Sequence, residues 1–196
     1  MTTLTKPDLK KKLRLDALAR RDALAVDYRL DAAMSLVEWA AEICSTPPDV
    51  AAGFWPIRSE MDVRPLMHAL GAQGARLALP AILDSQTIVF RELIRGAKLV
   101  EMGFGTKGPD VEAQVLMPDL ILVPLAAFDA RGHRIGYGGG FYDRALARMA
   151  AQGHMPKLVG IAFDCQEVDE VPDEPHDVVL PEILTESGLR RFAPDL

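Results

Sequence analysis

The sequence has little cysteine: two residues in 196, Cys44 and Cys165, with no CxxC spacing. That excludes a disulfide framework and a thiolate zinc site, and each thiol reads as reduced and packed rather than catalytic. No uninterrupted apolar run approaches the roughly 18 residues of a membrane span. The opening MTTLTKPDLKKKLR turns polar where a secretory leader would be apolar, so a cytoplasmic protein is expected. Histidine is also sparse: His68, His133 and His154 show no ligand spacing, and His176 reads as a surface histidine, so no zinc site is expected. Internal repeats, low-complexity tracts and linkers are missing as well.

What is present looks globular. Hydrophobic residues make up 49% and charged residues 26%, enough apolar material for one good core, and residues 1–196 are expected to form a single domain. Charge is unevenly spread over a net balance of -6. Lys6, Lys10, Lys11, Lys12, Arg14, Arg20 and Arg21 crowd the amino-terminal segment, whereas no Lys or Arg stands between Leu158 and Leu189. Such a basic segment is either a solvated helix face or a site for an anion.

Periodicity predicts a helix over residues 7–25 and a second over about 30–43, before Pro47 and Pro48. DVAAGFW reads as a buried strand, PIRSE as a turn, and Asp62 with Pro65 as the start of a helix that stops near Gly71 and Gly74. ARLALP, TIVFREL, DLILVPLAAFD and KLVGIAF read as further strands, with VVL or EILTE as a short last one. FYDRALARMAAQG has helical spacing. This alternation predicts an α/β fold, a mainly parallel sheet with helices on both faces in a Rossmann-like three-layer arrangement. Ligands of such sheets bind beyond the carboxyl ends of the strands.

RIGYGGGFYDRAL, residues 134–146, lies at such a place. Glycines let a ligand approach main-chain N–H groups, and a following helix adds partial positive charge, so the segment suits phosphate. No GxxxxGK[ST] exists, GYGGGF puts Phe141 where the third glycine of GxGxxG would stand, and a glycine cluster can also serve only as a tight turn. Phe141 and Tyr142 are core anchors or walls for a flat ring. Asp143 either complements the helix dipole or acts as a hard oxygen ligand beside a phosphate.

RIGYGGGFYDR resembles the RLGYGGGYYDR signature of 5-formyltetrahydrofolate cyclo-ligases, differing at Ile135 and Phe141. DLILVPLAAFDARGHR, KLVGIAF with Gln166, VPDEPHD before ILTE, KKKLR and GFWPIRSEMDVRPL are similar to further family stretches, in the same order along the chain. The resemblance implies an ATP- and magnesium-dependent ring closure of 5-formyltetrahydrofolate to 5,10-methenyltetrahydrofolate, through phosphorylation of the formyl oxygen. It implies that ATP is held by Lys10, Lys11, Lys12, Leu13 and Arg14 together with Arg134, Ile135, Gly136, Tyr137, Gly138, Gly139, Gly140, Phe141 and Tyr142. Trp55 and Glu60, with Tyr137 to Phe141, would hold the formyl-folate, and Asp143 and Asp177 would hold magnesium. Arg134 and Tyr142 would be catalytic. Read without the resemblance, Trp55 is a core residue and Glu60 a turn residue.

MGFGTKGPD departs from the family, whose members commonly carry Glu-Pro after this glycine-rich turn. Two other readings stand beside the ligase: a phosphate-ligand isomerase or transferase on a related sheet, and a non-enzymatic module that binds folate or, through the basic helix, RNA. The acidic balance and the lack of interleaved basic and aromatic residues weigh against the last. The expected partners are small molecules, with no nucleic acid, no membrane and a monomeric state.

Overall fold

The computed structural model describes residues 5–174 and 177–192; His176 lies outside them. The chain opens with α1 (Lys6–Asp22), α2 (Val26–Ser35), a 3-10 turn (Leu36–Trp39) and α3 (Ala40–Ile43). Then come β1 (Val50–Ala52), α4 (Arg64–Ala72), β2 (Arg76–Ile82), β3 (Ile88–Glu92), β4 (Leu99–Glu101), β5 (Lys107–Pro109) and β6 (Val115–Leu116). The second half contains β7 (Leu120–Pro124), β8 (Ala127–Phe128), β9 (Arg134–Ile135), α5 (Phe141–Ala151), β10 (Lys157–Ile161), β11 (Glu182–Thr185) and β12 (Gly188–Arg191). None of the described helices is long and apolar enough to cross a membrane.

Eight strands form one sheet in the order β12-β11-β10-β7-β1-β2-β3-β6. The β1–β2, β1–β7, β7–β10 and β10–β11 pairs are parallel, and the pairs toward both edges are antiparallel. The mainly parallel α/β sheet expected from the sequence is therefore present. From β1 the chain builds one way through β2 and β3, then returns to lay β7 and β10 on the other side of β1. The gap between β1 and β7 is thus a topological switch point, where an open sheet leaves a crevice beyond the carboxyl ends of its strands.

Alternation along the central strands splits the core in two. Ala51, Leu120, Leu122, Val159 and Ile161 face the layer containing Leu36, Leu66 and Leu70. Val50, Ala52, Ile121, Val123 and Leu158 face the layer containing Ala145, Leu146 and Met149 of α5. Each large aliphatic side chain buried this way contributes about 1.5–3 kcal/mol relative to exposure. β7 reads as one apolar run because both of its faces are covered.

The helix expected over 30–43 is instead α2, a 3-10 turn and α3. A 3-10 turn eclipses residues three apart, which points Leu36 and Trp39 into the same apolar layer. Trp39 packs so closely on Gly188 that a Cβ there would lie 2.9 Å from the indole ring.

α1 starts where the Thr5 hydroxyl accepts from the Asp8 amide, with Pro7 in the first turn. Lys10, Arg14, Ala17 and Arg21 follow one another at helical spacing along one stripe, and Ala17 and Arg21 are buried. Ala17 packs with Ala127, Ile135 and Val171. The stripe lies against the rest of the fold, so the basic helix is not simply a solvated face.

Candidate active site

The hairpin β8–β9 carries the chain from the end of β7 to the glycines. Buried Asp129 fixes its turn by accepting from the amides of Arg131, His133 and Val171 and pairing with Arg131 at 2.8 Å. Burial alone would raise the Asp129 carboxyl, but these hydrogen bonds and the Arg131 charge outweigh it and hold the pKa below the usual carboxylate range. Gln166, also buried, donates to the carbonyls of Leu125 and Ala126 and so anchors the segment joining β7 to the hairpin.

α5 begins without a side-chain cap, at Gly140 in the left-handed region with φ 61°. A Cβ in this conformation is disfavoured by roughly 1–2 kcal/mol, which accounts for glycine at the cap. None of the backbone N–H groups from Gly138 to Asp143 reaches a protein acceptor among the described residues. A run of such amides at a helix start is a ready anion cradle.

The glycine segment is a partition. Tyr137, Gly139, Phe141 and Tyr142 line an apolar pocket of about 190 Å³, with Phe54, Trp55, Ile57 and Glu60 opposite. Phe54 follows β1, and Pro80 and Ile82 of β2, Pro124 of β7 and Phe104 of the β4–β5 turn also line the pocket, which opens at the switch point. Gly136, Gly138, Gly140 and Asp143 line a polar cavity of about 290 Å³, with Lys10, Arg14, Arg134, Ile135, Arg144 and Asp177. Between them a space of about 130 Å³ is bordered by Arg134, Gly136, Tyr137, Gly139, Gly140, Tyr142 and Asp143.

The polar side is lined by four cations, Lys10, Arg14, Arg134 and Arg144, against two carboxylates, Asp143 and Asp177. The Arg14 Nε donates to the Gly136 carbonyl at 2.7 Å, fixing helix to loop. Buried Arg134 pairs with Asp143 at 2.6 Å and also donates to the Val178 carbonyl. Lys10 pairs with Asp177 at 2.6 Å and Glu174 at 3.0 Å. Burial by itself would lower the Lys10 ammonium, yet the bonds to Asp177 and Glu174 leave its pKa above the ordinary lysine value. Among the described residues no group of three or more His, Cys, Asp or Glu is placed to hold a metal ion.

On the apolar side Trp55 stacks under Arg64, whose guanidinium lies 4.9 Å from the ring centroid. Glu60 closes the turn expected for PIRSE, its amide donating to the Ile57 carbonyl and its carboxylate accepting from the Ile57 amide at 2.8 Å. Burial pushes the Glu60 carboxyl above its usual range, against hydrogen bonds from Tyr137 and Ile57 and the Arg21 charge. The Tyr142 hydroxyl is buried with no hydrogen-bond partner among the described residues. Burial first, then the Glu60 charge, raises its pKa, so the phenol is a neutral donor at any ordinary pH.

The structure brings together Lys10, Arg14, Arg134 to Tyr142, Asp143 and Asp177 around one partition, with Trp55 and Glu60 across the apolar pocket. It does not bring Lys11, Lys12 and Leu13 there. Successive helical residues point about 100° apart, so Lys11 and Lys12 are exposed, Lys12 pairing with Asp16. Leu13 packs beside Ala17. Sequence reasoning missed Arg21, buried with its Nε on the Ser59 hydroxyl and an Nη on the Tyr137 hydroxyl at 2.6 Å. The signal available was its place on the Lys10–Arg14–Ala17 stripe.

A family model described as the 5-formyltetrahydrofolate cyclo-ligase family matches residues 6–186. The 5-formyltetrahydrofolate cyclo-ligase of Escherichia coli is 33% identical over 158 residues, covering 76% of this chain and 86% of that one. The enzyme of the same name from Mycolicibacterium smegmatis is 32% identical over 187 residues, covering 91% and 94%. The NMR structure of Aquifex aeolicus 5,10-methenyltetrahydrofolate synthetase superposes with a TM-score of 0.81 at 28% identity, over 96% of this chain and 95% of that one.

Proposed function

The chain belongs to the 5-formyltetrahydrofolate cyclo-ligase family, and on that premise we propose that ATP drives its ring closure, with one reactant on each side of the glycine partition. The reaction converts 5-formyltetrahydrofolate to 5,10-methenyltetrahydrofolate. The observation that carries the proposal is the alternation of the segment: residues 137, 139 and 141 face an apolar pocket while residues 136, 138 and 140 face a basic cavity.

A formyl group on nitrogen is an amide, so its carbon is a weak electrophile and its oxygen a poor leaving group. Attack by the formyl oxygen on the γ-phosphorus of ATP breaks the bond to ADP and leaves an iminium-like carbon bearing a phosphate. N10 then attacks that carbon, the carbon–oxygen bond breaks, and phosphate departs with the N10 proton removed. The protein's task is alignment and charge neutralisation.

The amides from Gly138 to Asp143 hold the phosphate tail, with Arg14, Arg134 and Lys10 offsetting its charge. The pterin lies between Trp55, Phe141 and Tyr137, and the Glu60 carboxylate accepts from its donor edge. Tyr142 donates its partnerless hydroxyl to the substrate across the partition, and Arg134 faces the transferred phosphoryl group through the middle space. Magnesium fits the polar side: Asp143 and Asp177 line the same cavity as the cradle, and that ion takes one or two carboxylates plus phosphate oxygens. Bound there, it would neutralise charge between the phosphates.

The proposal is of a single-domain monomer that acts in the cytoplasm on a small-molecule folate and ATP. The test is direct: protein, ATP, magnesium and 5-formyltetrahydrofolate together should develop the near-ultraviolet absorbance of the methenyl bridge. Omission of ATP should abolish it. Nucleotide turnover that proceeds equally without folate would overturn the proposal.

A further inference from the structure

Among the described residues two non-glycine positions have a left-handed backbone, Arg58 with φ 53° and Phe104 with φ 52°. Long and aromatic side chains are disfavoured there by roughly 1–2 kcal/mol, and turns free of other demands place Gly, Asn or Asp instead. These two residues lie far apart in sequence, yet both line one further cavity, of about 480 Å³. Strained residues collect where a ligand is clamped.

That cavity adjoins the apolar pocket, sharing Ile57, Phe104 and Tyr137 with it as common wall. Phe104 is 79% exposed, with its ring 6.0 Å from Phe141 in an edge arrangement. Arg58 is exposed and makes no hydrogen bond or ion pair with any described residue. Asp22, the one carboxylate in the lining, already accepts from the Ser59 hydroxyl. A strained aromatic ring and an uncommitted guanidinium therefore face one space that continues from the pocket assigned to the pterin.

We propose that this second cavity binds the distal end of the substrate, Phe104 meeting the aminobenzoyl ring and the Arg58 guanidinium pairing with the glutamate carboxylates. The assignment rests on the pterin occupying the apolar pocket. It makes Arg58 a specificity residue for the acidic tail rather than a participant in ring closure. A guanidinium suits this task because its fork of donors matches a carboxylate.

The test compares 5-formyltetrahydrofolate with 5-formyltetrahydropteroate, which lacks the glutamate, in wild type, Arg58→Ala and Arg58→Lys. The ratio of kcat/KM for the two substrates should favour the glutamate form in wild type. It should fall about fivefold in Arg58→Ala, the size of a partly exposed charge-assisted pair, and be partly kept in Arg58→Lys. Thermal melting of Arg58→Ala checks that the fold survives, and Arg58→Gly, which relieves the backbone, should show the same fall in the ratio without loss of stability. An unchanged ratio in Arg58→Ala and Arg58→Gly overturns the tail site while leaving the ring closure standing. Failure of wild type to convert either substrate overturns the ring closure, and the tail site with it.

Discussion

Replacing Tyr142 by Phe separates stability from function. The hydroxyl is buried and has no partner among the described residues, while the ring packs edge-on against Phe90 with centroids 6.4 Å apart. Leaving a buried donor unpaired costs roughly 1–3 kcal/mol, so deleting only the oxygen should raise stability of the ligand-free protein by about 1 kcal/mol. For a chain of this length that is an increase of roughly 2–4 °C in Tm. The substrate, in contrast, loses one hydrogen bond, worth about 1 kcal/mol to a neutral acceptor and up to about 3 kcal/mol to an oxygen gaining charge. At about 1.4 kcal/mol per decade, kcat/KM should fall roughly 5- to 100-fold. Calorimetric melting without ligands and initial rates of methenyl formation read the two quantities on the same preparation. A variant that melts lower, or that keeps wild-type kcat/KM, would refute the idea that the missing partner is the substrate.

Three other substitutions follow from the same geometry. Arg14→Ala removes a guanidinium fixed to the Gly136 carbonyl beside the cradle, and should raise the KM for ATP about 10-fold or more with a smaller effect on that for folate, read by varying each substrate in turn. Burial raises the Glu60 carboxyl, so its accepting anionic form is lost at a pH above the ordinary glutamate value of about 4.3. The acid limb of kcat/KM should lie above that value in wild type and disappear in Glu60→Gln, whose KM for folate is raised throughout. Asp129 has a depressed pKa, so its stabilisation is present above the unfolded value of about 3.9 and fades as pH falls through the lower folded value. Asp129→Asn should therefore lower stability by about 2 kcal/mol at pH 7 by urea denaturation, with the gap closing in acid.

The parts of the fold that could be read from the sequence share one property: their local pattern and their tertiary setting agree. β7 is apolar at every position because it is covered on both faces, and α5 follows its glycines with helical spacing and is buried through Ala145, Leu146 and Met149. The hairpin of β4 and β5 has no such pattern. Its three-residue strands are too short to show a period, and only the glycine-rich turn through Phe104 marks it in the sequence. The orientation of β3, antiparallel to β2, was likewise set by a short connection that apolar content does not encode.

The site divides in the same way. The glycines, Arg14 and the acid beside them were visible as a motif. Arg21 was not, since its burial depends on Ser59 and Tyr137 arriving from 38 and 116 residues away. Lys11 and Lys12 show the converse: the same residue type in the same run, turned outward by the helix. Arg58 is one more residue of the PIRSE turn by sequence, and only its left-handed backbone and neighbouring cavity set it apart.

A partition that brings the terminal phosphorus of ATP to the formyl oxygen sends that oxygen out on the released phosphate. This transfer is tested most directly by following that oxygen: 5-formyltetrahydrofolate labelled with heavy oxygen in the formyl group is converted in a single turnover, and the released phosphate is weighed by mass spectrometry. One labelled oxygen is expected in each phosphate formed. Unlabelled phosphate accompanying full conversion to the methenyl product, with the label in water, would contradict it.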